Sequence, residues 1–550
     1  MARIWSKFQV AVFDFIADIT KGNCVINAVA GSGKTTTILE AAIRALSQFV
    51  ARFTADRYGN RKRISEVLFL AFNNSIVSEI ADKLFKLFGI RNGKDGIDVR
   101  TLHSQGRACL AKEYYKIFRT NPPTDKDGAN AWVNKTKWLD YISDNAVRMS
   151  RTNIPEDMLS TFVSNCTDLF NKCRVELVYG GQTIRIQKVA DHYGIVCVAD
   201  EIDVVSDLLR NAYKLTADNL RRIDFTDMVV IPAANAGRIT SIPKYKLVFV
   251  DECQDLNEAQ RTLLLASIDK ENNGRFVAVG DPRQAINGFA GASCDSFDLL
   301  KVLANGNELG LSVCYRCGKA IIDLAKQIVP QIEACEGAGE GEIRHETKLN
   351  VKAGDMVLCR KSAPLVRTCL RLIANGIPAQ VKGKDIAKGL KELIERQKTN
   401  DLDRLYIKLE QEVERLRNKM TEEGVEDVAN NPRFLAMQDK VQCIQVLGEN
   451  ATCVADIVAN LDRLFAEDEK VKENKGSFVT LSTIHKAKGL EADNVTILLP
   501  EKLPLVWKGQ LDWEYEQEMN LKYVAITRAK KVLTFLDLDE VGLAGVEIVK

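Results

Sequence analysis

The sequence predicts an α/β protein with mainly parallel sheets. Short apolar runs alternate with amphipathic helical stretches along most of the chain, as parallel strands joined by helical crossovers require. The runs at residues 24–29, 67–72, 247–250, 276–279, 356–358 and 495–499 are rich in Val, Ile, Leu and Phe throughout. Strands covered on both faces have that composition, because neither face meets water. Two long stretches differ in character. Residues 102–219 read as helical and include Trp132 and Trp138, and residues 385–473 read as helical and heavily charged. In the second, Leu402, Leu405, Leu409, Val413, Leu416 and Met420 recur at spacings of three and four, which makes one apolar helix stripe. A helix packed on its own subdomain is the expected reading of that stripe, ahead of a partner-binding coiled coil. Asn430, Asn431 and Pro432 then end the helix. Two α/β cores, each interrupted by a helical insert, account for the whole pattern.

Composition bounds the function. The chain has 550 residues, enough for three or four domains at about 150 residues each. Apolar residues make up 46% and charged residues 27%, which excludes a disordered, collagen-like or membrane-spanning chain. Lys and Arg total 76 against 74 Asp and Glu, a net charge of +2 that argues against a protein coating nucleic acid. The apolar run near the N-terminus is cut by Asp14 and Asp18 and does not read as a secretion signal. Fourteen cysteines without such a signal read as reduced thiols, so a cytoplasmic location is expected. Cys314 and Cys317 form one close pair, and two further ligands would be needed for a structural metal site.

Residues Ala28-Val29-Ala30-Gly31-Ser32-Gly33-Lys34-Thr35 follow a strand and precede an amphipathic helix, the context of a Walker A phosphate loop. The motif ordinarily opens on Gly, where this chain has Ala28. Gly31, Ser32, Gly33, Lys34, Thr35 and Thr36 are the candidate phosphate ligands, through backbone N–H groups at a helix N-terminus. Lys34 is expected to reach the β- and γ-phosphates, and the Thr35 hydroxyl to bind Mg²⁺. The run Leu247–Val250 then delivers Asp251 and Glu252. A carboxylate at the end of a buried strand suits Mg²⁺, and its neighbour suits deprotonation of an attacking water. The chemistry implied is hydrolysis of a nucleoside triphosphate rather than transfer to a metabolite.

The acid pair continues as Asp251-Glu252-Cys253-Gln254-Asp255, and Gly280-Asp281-Pro282-Arg283-Gln284 follows 26 residues after Gln254. These stretches resemble superfamily 1 DNA helicases of the UvrD/Rep type. The resemblance extends over nearly the whole chain: Gln9, Phe72-Asn73-Asn74, Thr101-Leu102-His103, Tyr315-Arg316, residues 480–491 and Tyr523-Val524-Ala525-Ile526-Thr527-Arg528-Ala529 all fall in the family's order. It implies two RecA-like P-loop NTPase cores. The expected division is 1–100 with 220–305 as the first core, interrupted by 101–219, and 306–384 with 475–550 as the second, interrupted by a shortened insert at 385–474. It implies ATP and Mg²⁺ as cofactors, with Gln9 reading adenine, Gln284 sensing the γ-phosphate, and Arg316 and Arg528 acting as arginine fingers. Tyr315 would stack on the base, and Glu491 would bond the ribose. Phe72, Asn74, Thr101, His103, Phe289, Thr483 and His485 are the implied DNA contacts, although Phe72 and Phe289 equally suit a hydrophobic core. The flanks of Tyr315-Arg316 explain Cys314 and Cys317 as packing around a motif strand.

The implied activity is ATP-dependent 3′–5′ translocation on single-stranded DNA with strand separation, in replication, repair or recombination. The partners would be single strands and single-strand/duplex junctions, with the enzyme a monomer or weak oligomer. Where relatives carry an aromatic ring and an arginine after the sensor glutamine, this chain has Asn287 and Ala290. The chain also ends about 20 residues past Arg528, leaving no expected space for a C-terminal nuclease or interaction tail. Those departures keep a second reading open: a translocase that strips proteins from single strands with little duplex opening. A third reading, an RNA-directed enzyme of the same superfamily, also stays open.

Overall fold

The computed structural model describes residues 5–18, 20–47, 49, 53–55, 61–124, 132–193, 195, 197–288, 295–422, 424–466 and 477–549. Two compact units divide the chain, Met1–Ala28 with Gly33–Leu311 and Val29–Ser32 with Ser312–Lys550.

The first unit is built on six parallel strands: β1 (Cys24–Ala28), β2 (Val67–Ala71), β3 (Ile97–Thr101), β4 (Leu247–Val250), β5 (Arg275–Gly280) and β6 (Glu308–Leu311). Their order is β3-β2-β4-β5-β1-β6, with every pairing parallel. Successive residues of β2 serve two different cores. Val67, Phe69 and Ala71 pack with α1 (Lys7–Ala17), α2 (Lys34–Leu46) and α3 (Asn74–Phe88), whereas Leu68 and Leu70 pack with the helical segment on the other face. All five residues of β2 are therefore buried, which is why the strand reads as an unbroken apolar run. Phe69 stacks on its register partner Phe249 with ring centroids 4.8 Å apart.

On the second face lie α4 (Leu102–Phe118) and helices Lys137–Met149, Leu159–Val175, Thr183–His192 and Ala199–Ala212. Trp132 and Trp138 belong to this core. Its centre also holds an ion network. The fully buried Arg174 guanidinium donates to Asp224 at 2.8 and 2.9 Å and to Asp227 at 2.5 Å. Lys137 Nζ and the Trp138 indole N–H reach the Asp227 carboxylate at 2.7 and 3.1 Å.

The second unit carries a seven-stranded parallel sheet: β7 (Glu342–Glu346), β8 (Met356–Cys359), β9 (Ala379–Lys382), β10 (Phe465–Ala466), β11 (Val479–Thr483), β12 (Ala492–Leu498) and β13 (Ala529–Leu536), in the order β7-β13-β12-β8-β11-β9-β10. Between β9 and β10 run four helices, among them Leu402–Glu422. Its stripe turns inward: Leu405, Leu409 and Met420 are buried, and Leu402 and Val413 pack against the same core. Asn431 caps the helix that follows, Pro432–Gly448, and its side-chain oxygen accepts the Arg433 N–H. Among the described residues, no helix is long and apolar enough to cross a membrane.

Arg174→Met should destabilise the first unit by about 3–5 kcal/mol, because it strands the Asp224 carboxylate and takes from buried Asp227 one of its two cations. The check is a urea unfolding curve of the variant against wild type.

Candidate nucleotide site and nucleic-acid track

Parallel strands point their carboxyl ends to one edge of a sheet, and loops at that edge hold the groups that bind ligands. In the first unit β1 runs into the phosphate loop, β2 into Phe72, β3 into Thr101, β4 into Asp251 and β5 into Asp281. Nearly every sequence-predicted site residue of this unit therefore lies at one edge, although the stretches are far apart in the chain.

Helix α2 starts at Lys34, after Gly33 in the left-handed region at φ 77°. Gly31 is also left-handed, at φ 70°, so both glycines hold conformations that other residues avoid. Among the described residues, the buried Ser32 hydroxyl has no hydrogen-bond partner. A loop of left-handed glycines ahead of a helix N-terminus, with an orphaned hydroxyl inside it, fits a polyphosphate. Gln9 is buried at the first turn of α2, where its amide donates to Thr37 Oγ1 at 2.9 Å and accepts from the Ser6 N–H.

Thr35 Oγ1 donates to Asp251 Oδ2 at 3.3 Å, so a hydroxyl and a carboxylate converge on one point, a donor set that suits a hard cation. Burial, reinforced by the neighbouring Glu252 charge and opposed by Lys34, pushes the Asp251 carboxyl up to about 6. Glu252 stands at φ 53°, a left-handed conformation that turns the chain sharply after β4. Gln284 donates to Asp281 Oδ2 at 2.7 Å, and burial raises the Asp281 pKa.

The track residues occupy the neighbouring loops. Phe72 is 45% exposed, which rules out the core alternative for that ring. Asn74 is exposed in the first turn of α3, where Asn73 makes the cap. Thr101 is nearly buried and caps α4, its hydroxyl accepting from the Ser104 N–H at 3.1 Å, so its first role is structural. Burial lowers the pKa of His103. Sequence reasoning missed Phe225. This ring is 49% exposed, lies edge-on to His103 at 6.5 Å, and has the Lys135 ammonium 5.8 Å from its centroid. The signal was an aromatic residue between Asp224 and Asp227, the two acids anchored by Arg174. Phe289 and Ala290 lie outside the described residues, and Asn287 is partly buried.

In the second unit Arg316 and Arg528 meet at Thr527. Arg316 Nη1 donates to the Thr527 carbonyl at 3.2 Å, and Arg528 Nη2 to the Thr527 hydroxyl at 3.2 Å. Arg528 is buried, and its guanidinium also bonds the carbonyls of Val524 and Leu490. In this conformation Arg528 braces the backbone of its own unit. Arg316 Nε pairs with Glu491 at 2.7 Å, and Lys530 reaches the other oxygen of Glu491 at 2.7 Å. Tyr315 is 47% exposed, and its N–H donates to the Gly31 carbonyl at 2.9 Å. Cys314 and Cys317 are buried, and the Cys317 thiol donates to the Thr527 carbonyl at 3.7 Å. Thr483 is buried at the end of β11. His485 just beyond it is pushed down to about 3 by burial, with Arg360 and Lys486 adding to the effect, and is neutral at physiological pH. Arg360, which sequence reasoning did not single out, forms a forked pair with Glu518, the shortest contact being 2.7 Å.

A P-loop and an Mg²⁺-suited carboxylate with a second acid beside it, together with the exposed Phe72 ring at the same sheet edge, point to a class: a nucleotide-driven nucleic-acid motor. Residues 13–302 match the model for the UvrD/REP helicase N-terminal domain, and residues 219–538 match that for the UvrD-like helicase C-terminal domain. The chain belongs to the UvrD/REP helicases and is an ATP-hydrolysing DNA helicase by family. It is 24% identical to the probable DNA helicase II homolog of Mycoplasma pneumoniae, over 94% of this chain and 82% of that protein. It is 25% identical to the ATP-dependent DNA helicase PcrA of Staphylococcus aureus, over 56% of this chain and 38% of PcrA. A match to the F-box DNA helicase 1 of Gallus gallus is 24% identical over 60% of this chain and 33% of that protein.

Asp251 yields a prediction about pH. A folded-state carboxyl raised to about 6 from an ordinary 3.8 makes ionisation costly, so its penalty is absent at low pH and complete above about 6. Asp251→Asn should therefore melt at a higher temperature than wild type at pH 7–8. The difference should vanish near pH 4, as thermal unfolding across that range will show.

Proposed function

We propose that this protein is an ATP-driven motor that moves 3′ to 5′ along single-stranded DNA and separates the strands of a junction. One observation carries the reading. The phosphate loop, Asp251-Glu252 and the exposed Phe72 all follow parallel strands of one sheet at its carboxyl edge. Nucleotide chemistry and polymer contact then share a rigid support.

In this reading Lys34 and the backbone of residues 31–36 hold the phosphates, and Thr35 and Asp251 hold Mg²⁺, which neutralises phosphate charge when bound. Glu252 takes the proton of the attacking water, and Gln284 reads the γ-phosphate. Arg316 and Arg528 supply positive charge to the phosphoryl group during transfer. For Arg528 this requires its guanidinium to leave the carbonyls that now hold it. Gln9 and Tyr315 contact adenine, and Glu491 exchanges Arg316 for the ribose. Phe72, Asn74, Thr101, His103 and Phe225 form the track of the first unit, and Thr483 and His485 that of the second, with Phe289 continuing the first. As a neutral imidazole, His485 offers hydrogen bonds rather than charge. The helical segments at 101–219 and 385–474 are read as inserted subdomains of two cores, and the enzyme as a monomer or weak oligomer.

Wild-type ATPase should rise at least tenfold with single-stranded DNA, and Lys34→Ala should abolish both hydrolysis and unwinding. Equal hydrolysis with and without DNA would defeat the reading. Unwinding of a 3′-tailed duplex but not a 5′-tailed one tests the direction.

Phe72→Ala and Phe225→Ala should each weaken oligonucleotide binding by about 1–3 kcal/mol with little change across base sequences, as fluorescence anisotropy will register. Asn287 in place of a ring favours a second reading, a translocase that displaces bound proteins without opening duplexes. Parallel displacement and unwinding assays at equal ATP turnover separate the two.

A further inference from the structure

The turn after β4 contains a glutamine whose two bonds join separate parts of the nucleotide half-site. Gln254 is fully buried. Its Nε2 donates to Glu252 Oε2 at 2.5 Å, and its Oε1 accepts the Asp281 N–H at 3.1 Å. Asp281 in turn holds Gln284 through its Oδ2 and accepts the Arg283 N–H on its Oδ1 at 3.1 Å. A continuous hydrogen-bonded path therefore runs Glu252, Gln254, Asp281, Gln284. The space for it is specific, because a Cβ on Gly280 would collide with Gln254 Oε1 and stand 2.8 Å from Cys253 Sγ.

Only a neutral amide donates to a carboxylate from one end while accepting a backbone N–H at the other. A glutamate of the same length cannot donate when ionised, and a methionine can do neither. The donated bond fixes a side chain that leaves the backbone at a left-handed residue.

We propose that Gln254 is a positioning residue that holds the Glu252 carboxylate in its proton-accepting orientation and carries the state of the 281–284 loop to it. The inference rests on Glu252 being the general base of ATP hydrolysis.

Three variants of the full chain test it, with kcat and KM for DNA-stimulated ATP hydrolysis measured from pH 5.5 to 9 and binding of a fluorescent ATP analogue alongside. Gln254→Glu places a second carboxylate against the first. Because an ionised glutamate donates no hydrogen bond, its kcat should fall about tenfold, with KM and analogue binding unchanged. Gln254→Met should lose kcat about tenfold to a hundredfold at every pH, with KM and analogue binding unchanged. The proposal is overturned if Gln254→Glu keeps the wild-type kcat, or if Gln254→Met loses analogue binding in step with kcat, which is the mark of a merely structural residue. Glu252→Gln separates the two levels. Persistent hydrolysis in that variant defeats the general-base reading itself, whereas its loss beside normal Gln254 variants defeats only the positioning role.

Discussion

Asp251 is a carboxylate held where burial disfavours its charge, and the layout of the first unit follows from keeping it there. The residue is 6% exposed, at the end of a strand with no exposed residue, beside a second acid. Such a position is tolerable because Thr35 donates to one oxygen, the Glu252 N–H donates to the other, and the Lys34 charge stands close. Those supports come from two strand ends, Thr35 and Lys34 from that of β1 and Glu252 from that of β4. The phosphate loop must leave β1 at the same edge at which β4 stops. The adjacent strands must be buried on both faces, because solvent at that depth would relieve the field that makes the site receptive to a cation.

That requirement explains what the sequence disclosed. Strands flanked by two cores have few polar positions to interrupt them, so β2, β4 and β5 appear as apolar runs, and β1 as one broken only by Asn27, within a residue or two of their observed ends. Strand β3 stayed hidden because Ile97–Thr101 includes Asp98 and Arg100. Asp98 is buried by pairing with Ser65, Arg100 and Tyr245, partners that no local pattern announces. Edge strand β7 was hidden for the opposite reason: its residues are mostly exposed, so selection for apolar character is weak. The motif residues were legible because phosphate chemistry admits few residue types at fixed spacing. What could not be read is the immediate occupation of each side chain. Thr101 as a helix cap, Arg528 as a backbone brace and Gln9 against Thr37 each depend on neighbours distant in sequence or on a helix boundary.

Arg174 and Phe225 show how structure and function meet away from the motifs. The ion network absorbs Asp224 and Asp227, the acids on either side of the ring, so the backbone that bears Phe225 is anchored at two points. The Asp227 N–H donates to Asp224 and the Asp224 N–H to Asp227, which closes the turn on itself. An exposed ring on a backbone held this firmly loses little conformational freedom when a base stacks on it, and that entropy cost otherwise reduces the gain from stacking.

The charge balance takes a different meaning once partners are assigned. A net charge of +2 looks unsuited to a polyanion, but many of the charges are internally committed. Arg174, Lys137, Arg360, Arg316 and Lys530 all sit in ion pairs with acids of their own unit. The pairings most relevant to the site use cations to hold loops in shape rather than to attract phosphate from a distance. In the proposed reading, grip on a strand then falls to exposed rings and neutral hydrogen-bonding groups, Phe72, Phe225 and His485 among them. A base stacked on a ring is worth only about 1–3 kcal/mol. A contact of that size can be broken by part of the free energy of one hydrolysis cycle, whereas a wholly basic groove would hold the strand through many cycles. Near-neutrality is thus what a motor that must release its track at every step requires.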